Sequence, residues 1–168
     1  MNFDNLHDVY VSQLKDMYSA ENQLVDALPK LAAAASTPKL KDAFQQHLDV
    51  TRTHFERVRG LLDGLGVNPG NTVCEGMEGL VREGDDAANQ TGDAKARDAA
   101  LILAAQKAEH YEIASYGGLH TYAHELGYDD AADTLQDILD DEYDADEKLN
   151  KIAMGGLLKK GVNVAAEE

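Results

Sequence analysis

The chain has 168 residues, a normal length for one domain around one hydrophobic core, and its 43 % apolar residues are ample to fill that core. A net charge of −16 excludes nucleic acid, whose phosphates demand Lys and Arg, and an anionic membrane surface for the same reason. The lone cysteine, Cys74, has no intrachain partner. The N-terminus MNFDNLHDVY lacks the basic and apolar regions of a signal peptide, and no apolar run approaches the roughly 20 residues that span a bilayer, so a cytoplasmic protein is expected.

Apolar residues recur at helical spacing almost throughout, without a useful length of strand-like alternation. The first helix is predicted to start after an Asn5 cap and run from Leu6 to about Ala35, with Pro29 inside it removing one amide donor and bending it. Thr37 followed by Pro38 reads as cap and first turn of a second helix, which ends near Leu65 before a left-handed Gly66. Residues 66–92 break the pattern, with a short amphipathic helix expected around Glu75–Glu83. Asp93 is positioned to cap a third long helix that reaches Leu126 before Gly127, and a fourth takes Asp129 to about Leu158, loosened at Gly155-Gly156. The bundle is expected over residues 1–160, and GVNVAAEE, residues 161–168, as a flexible tail.

Short links between the first and second and between the third and fourth long helices imply antiparallel neighbours. The connector in between, holding a short helix, can span about 60 Å and recross a bundle about 45 Å long. One such crossover is the topology of a ferritin-like four-helix bundle, and an all-α fold of that class is expected.

Each long helix carries polar residues within its apolar stripe. Glu21 lies between Tyr18 and Val25; His54 interrupts Phe44, His47/Leu48, Thr51 and Val58; Glu109 and Glu112 sit among Ala105, Ala108, Ile113 and Tyr116; Glu142 and Asp146 are flanked by Leu135, Ile138, Leu149 and Ile152. At about 1.5 Å per residue, with the topology above, all six fall between about 15 and 22 Å above the base of the bundle. A mid-helix Glu or His is ordinarily exposed, but coincident interruptions on four inward stripes reverse that expectation. Five buried acids in one layer repel one another and lose hydration, so either protons with raised pKa values or cations must neutralise them. Two divalent cations nearly balance five acids, and oxygen-rich ligation with an imidazole suits iron or manganese. His7, His110, His120 and His124 share no such convergence and read as solvated, and Cys74 as a small packed residue.

The chain resembles the YciE/YciF family of stress-associated ferritin-like proteins over nearly its whole length. The resemblance runs through DVYVSQLKDMYSAENQLVDALPKLA, KLKDAFQQHLDVTRTHFERV, CEGMEGLVREG and ELGYDDAADTLQDILDDEYDADEKL, and is strongest in DAALILAAQKAEHYEIASYGGL. It implies a di-metal site in the bundle core akin to that of rubrerythrin, with Glu21, His54, Glu109, Glu112, Glu142 and Asp146 as ligands. Where the family has an acid one turn before His54, this chain has Val50, which cannot ligate a metal; the gap is filled by water, by His47, or by nothing. The implied cofactors are two metal ions, iron first and manganese second.

Two functions follow as expectations: a stress-associated di-iron centre that oxidises Fe(II) or reduces dioxygen or peroxide, or a non-catalytic stress protein with a structural or buffering metal. A third class, an adaptor presenting an acidic surface, stays open. The expected partners are metal ions and the oxidant, and apolar positions on the first and third long helices leave room for a homodimer.

Overall fold

The computed structural model describes residues 3–156 and 159–167. Four long helices arise where the sequence places its caps: α1 (Leu6–Ala34), α2 (Pro38–Gly64), α4 (Ala94–Glu125) and α5 (Asp129–Met154), with α3 (Glu75–Ala88) in the crossover. The Asn5 side chain accepts the Asp8 amide at 3.0 Å, and the Asp93 carboxylate accepts the amides of Lys95 and Ala96 at 2.8 Å each. Both caps satisfy amides that a helix start leaves without partners. Gly66 and Gly127 take φ of 66° and 73°. Each is followed by an amide that reaches back to close the last helical turn, Val67 to Leu62 and Tyr128 to Ala123, both at 2.9 Å. This is the left-handed glycine stop expected at both places.

The crossover helix is longer than expected, ending at Ala88 rather than near Glu83. Its amphipathic face, with Met77 and Gly84 buried, lies on α1 and α4. The fourth long helix stops at Met154, because Gly155 leaves helical geometry with φ of 75°. The expected end at Leu158 lies outside the described residues. Gly155–Gly156 and Lys159–Lys160 form a two-residue antiparallel pair, β1 and β2. The segment expected as a tail contains a short helix, α6 (Val162–Ala165), against α4 and α5, with Val162 buried. A side chain at Gly161 would meet the Ala153 carbonyl oxygen at 2.2 Å, so glycine permits this close approach.

The long helices pair as α1 with α2 and α4 with α5, and the two pairs face each other to give the all-α bundle the sequence implies. Tyr10, Leu14, Met17, Leu40, Phe44, Leu62, Leu101, Leu119 and Leu135 form the core above and below one polar layer. Among the described residues no helix is long and apolar enough to cross a membrane.

Candidate metal centre

Among the described residues, seven polar or charged side chains are buried: Glu21, Thr51, His54, Asp98, Glu109, Glu112 and Glu142. Five of them are residues that interrupt apolar stripes, and the bundle brings these five together. Helical periodicity turns Glu21 of α1, His54 of α2, Glu109 and Glu112 of α4, and Glu142 of α5 toward one level of the interior. His47 joins them from α2. It stands seven residues before His54, two helical turns along the same face.

Two ligand groups emerge. His47, Glu109, Glu112 and Glu142 offer donor atoms within 4.8 Å of one another, and so do Glu21, His54 and Glu142. Glu142 belongs to both. The His47 Nε2 atom lies 3.2 Å from Glu109 Oε1 and 3.7 Å from Glu142 Oε2. His54 Nδ1 lies 2.8 Å from Glu142 Oε1 and 3.8 Å from Glu21 Oε1. The opposite nitrogen of His54, Nε2, is 3.1 Å from Asp141 Oδ2, whose carboxylate also faces Arg57 at 3.5 Å. An Nε2–H donated to Asp141 leaves the Nδ1 lone pair directed at the cluster, the arrangement by which a carboxylate fixes the tautomer of a ligating imidazole.

The layer is under-satisfied as a purely organic hydrogen-bonding system. Glu21 Oε2, Glu109 Oε2, both oxygens of Glu112, both oxygens of Glu142 and His54 Nδ1 are buried without a hydrogen bond. The short contact between His54 and Glu142 is off the line a hydrogen bond requires. One acid has a clear donor: the buried Tyr116 hydroxyl donates to Glu21 Oε1. Burial and then the Glu142 charge push Glu21 up to about 7, and burial opposed by His54 leaves Glu142 at about 7. Burial, followed by the charges of Glu142, Glu21 and Glu109, drives Glu112 well above the usual carboxylate range. Burial pulls the His47 imidazole down, but Glu109, Glu142 and Glu21 together outweigh it and carry the ring up to about 9. His54 is likewise raised by Glu142, Glu21 and Asp141 against its own desolvation.

These donors fit a pair of hard or borderline divalent cations. Four carboxylates carry the charge that two such ions would neutralise, two imidazoles complete the set, and the unpartnered oxygens are free to act as ligands. Asp146 does not enter the layer. Its Oδ1 accepts the Gln106 amide at 2.9 Å, its Oδ2 accepts the Asn150 amide at 3.1 Å, and His110 stands 3.6 Å away at the surface. One turn beyond Glu142 the helix face has rotated by about 40°, enough to carry the side chain to the rim. Val50 lines a cleft between α2 and α5 that opens onto His47 and Glu109.

Comparison with known proteins places this chain among relatives. Residues 5–162 match the family described as "Domain of unknown function (DUF892)". The chain is 44 % identical to protein YciF of Escherichia coli (strain K12) over 166 residues, covering 98 % of this chain and 100 % of YciF. The crystal structure of the E. coli stress protein YciF superposes with a TM-score of 0.89 at 43 % identity, covering 94 % of this chain and 100 % of that one. YcfI of Rhodopseudomonas palustris, described only as a candidate structural protein, superposes with a TM-score of 0.86 at 37 % identity, covering 90 % and 97 %.

Proposed function

Because the chain belongs to the DUF892 family and is a relative of the stress protein YciF, we propose that it is a stress-associated di-metal carboxylate protein, with iron as the first candidate and manganese the second. The observation that carries this reading is the set of unpartnered carboxylate oxygens in the middle of the core, two of them on the one acid common to both ligand groups. A buried acid without a hydrogen bond costs several kcal/mol, and a protein that merely needed a stable core would fill this level with apolar side chains.

In this reading His47, Glu109 and Glu112 would hold one ion, Glu21 and His54 the other, and Glu142 would serve both. A redox-active pair of ions bound there would supply electrons to dioxygen or peroxide, or accept them from Fe(II). The residues around the pair do the rest. Asp141 orients His54. Tyr116 holds a proton against Glu21 Oε1 and fixes the direction in which that carboxylate points. Leu24, Leu28, Ile138 and Leu135, all buried, exclude bulk water above and below the layer and strengthen every charge interaction inside it. His47 alone is partly open, with its side chain 10 % exposed where the α2–α5 cleft reaches the layer.

A second reading, in which the ions are structural and no turnover occurs, is in keeping with the description of the R. palustris relative as a candidate structural protein. One experiment separates the two. Metal-free protein is titrated anaerobically with Fe(II) and separately with Mn(II), metal content and Tm are measured, and the Fe(II)-loaded sample is exposed to dioxygen or peroxide while absorbance is followed. Binding of two ions with oxidant consumption supports the redox centre. Two ions with a raised Tm and no consumption support the structural role. No binding of Fe(II) or Mn(II) removes both.

A further inference from the structure

Two hollows run along the seam between α2 and α5. The first, about 240 Å³, has apolar walls from Ala43, Phe44, Val50, Ala145 and Leu149 and ends at His47 and Glu109. The second, about 780 Å³, opens where α2 begins and α5 ends, and among the described residues brings Lys39, Lys148 and Lys151 together with one acid, Asp42. Ala43, Gln46 and Lys148 belong to both, so the hollows form one trough. The inner part alone has room for several water molecules, more than dioxygen or peroxide fills.

Charge supplies an independent observation. The chain has 31 acidic and 15 basic residues, yet lysines outnumber acids in the lining of the outer hollow; Lys151 is held by Glu147 at 2.8 Å, which leaves Lys39 and Lys148 beside Asp42. Lysine ion pairs among the described residues involve Lys30, Lys95, Lys107 and Lys151, and neither Lys39 nor Lys148 has one. Lys148 donates instead to the neutral amide oxygen of Gln46 across the seam. An ionised acceptor there would make a bond roughly twice as strong as a neutral one. Two acids, Asp141 and Asp144, also border the inner hollow; Asp141 is half-buried and engaged by His54 and Arg57, and Asp144 is exposed. The order along the trough is therefore cationic mouth, apolar walls, then the polar layer.

We propose that this trough binds a small amphipathic anion, a medium-chain carboxylate or phosphate monoester, with its head on Lys39 and Lys148 and its chain against Val50 and Ala145 toward His47. The proposal rests on the metal-centre reading only in placing the end of the chain beside that centre; binding itself needs no metal. The full metal-free chain is titrated with octanoate, octyl phosphate and octylamine by calorimetry, with methyl resonances of Ala43, Val50 and Ala145 followed by NMR, and a parallel Mn(II) titration is run on every variant. Saturable binding of octanoate or octyl phosphate that moves those methyls, weakens at least tenfold in the surface variant Lys39→Glu/Lys148→Glu and vanishes in Ala145→Phe supports the trough, and the better of the two ligands identifies the head group. Octylamine binding as tightly as either anion overturns it, as does an absence of saturable binding by both anions. Anion binding that stays intact while Mn(II) fails to bind supports the trough and strikes the metal reading alone.

Discussion

Two buried acids on the same helix, Asp98 and Glu112 of α4, meet opposite fates. Asp98 is fully buried, yet its carboxylate accepts the Ser36 amide at 2.7 Å, the Thr37 amide at 2.8 Å and the Ser36 hydroxyl at 2.8 Å. Burial raises its pKa, but these hydrogen bonds outweigh burial and hold it below the usual carboxylate range. Glu112 is equally hidden, has both oxygens unpartnered, and is pushed far in the opposite direction. Burial is common to both, and what differs is the company each side chain keeps. Asp98 is a finished structural joint: Thr37 makes no capping bond of its own at the start of α2, and Asp98 supplies the negative charge there from another helix. In the proposed metal-centre reading, Glu112 belongs to a site that a bound cation completes.

The largest effect that tests this contrast comes from cations. Mn(II) at about 1,000 times its Kd should stabilise the fold by about 4 kcal/mol, read as a rise in Tm, and Glu142→Ala should abolish that rise because both ligand groups lose a member. The pH profile carries the same information. Glu21 and Glu142, raised to about 7, contribute stability that is complete below the ordinary carboxylate value of about 4.5 and is lost as pH climbs toward 7. His47, raised to about 9, contributes stability complete below about 6.5 that is lost toward pH 9. Metal-free protein should therefore lose Tm steadily from pH 5 to pH 9, while metal-loaded protein, its acids ionised and its imidazoles neutral, should not. A flat metal-free profile would break the comparison.

Next in size, Asp98→Ala strands two backbone amides and should cost about 2–3 kcal/mol in denaturant unfolding. Its sign in pH is opposite to that of the metal layer: the depressed Asp98 contributes above the ordinary value of about 3.9, and that contribution disappears as pH falls through its own lower pKa. Smaller still, Asp141→Asn should weaken Mn(II) binding about 10- to 100-fold in calorimetric titration by freeing the His54 ring. The smallest effect is also the sharpest. Glu112→Gln should raise the Tm of metal-free protein at pH 8, because a neutral amide needs neither a proton taken up from solution nor a charge held beside Glu142 and Glu21, whereas Asp98→Asn should lower it. At this chain length about 1 kcal/mol appears as roughly 2–4 °C. Changes of the same sign would erase the distinction between the two acids.

Much of this molecule is written locally. The Asn5 and Asp93 caps, the glycine stops at Gly66 and Gly127, and the inward direction of Glu21, His54, Glu109, Glu112 and Glu142 all follow from neighbours within one or two helical turns, so one-dimensional periodicity finds them. His47 was within reach of the same logic, since seven residues separate it from His54, but it shares its stripe position with Leu48 and the pattern does not choose between them. Asp146 and Glu142 are equally acidic neighbours on an apolar stripe, and a rotation of about 40° decides which one is inside. Asp98 and Asp141 carry no local mark, because each acquires its role from a group far along the chain: the α1–α2 turn for one and His54 for the other.

The chain alone settles where helices begin and end and which face of each is buried, because hydrogen bonding and side-chain spacing within a helix are short-range. Only the packed bundle decides which buried acids find donors and which are left facing one another. That outcome depends on distances between separate helices, and those are set by how whole surfaces interlock rather than by any stretch of sequence.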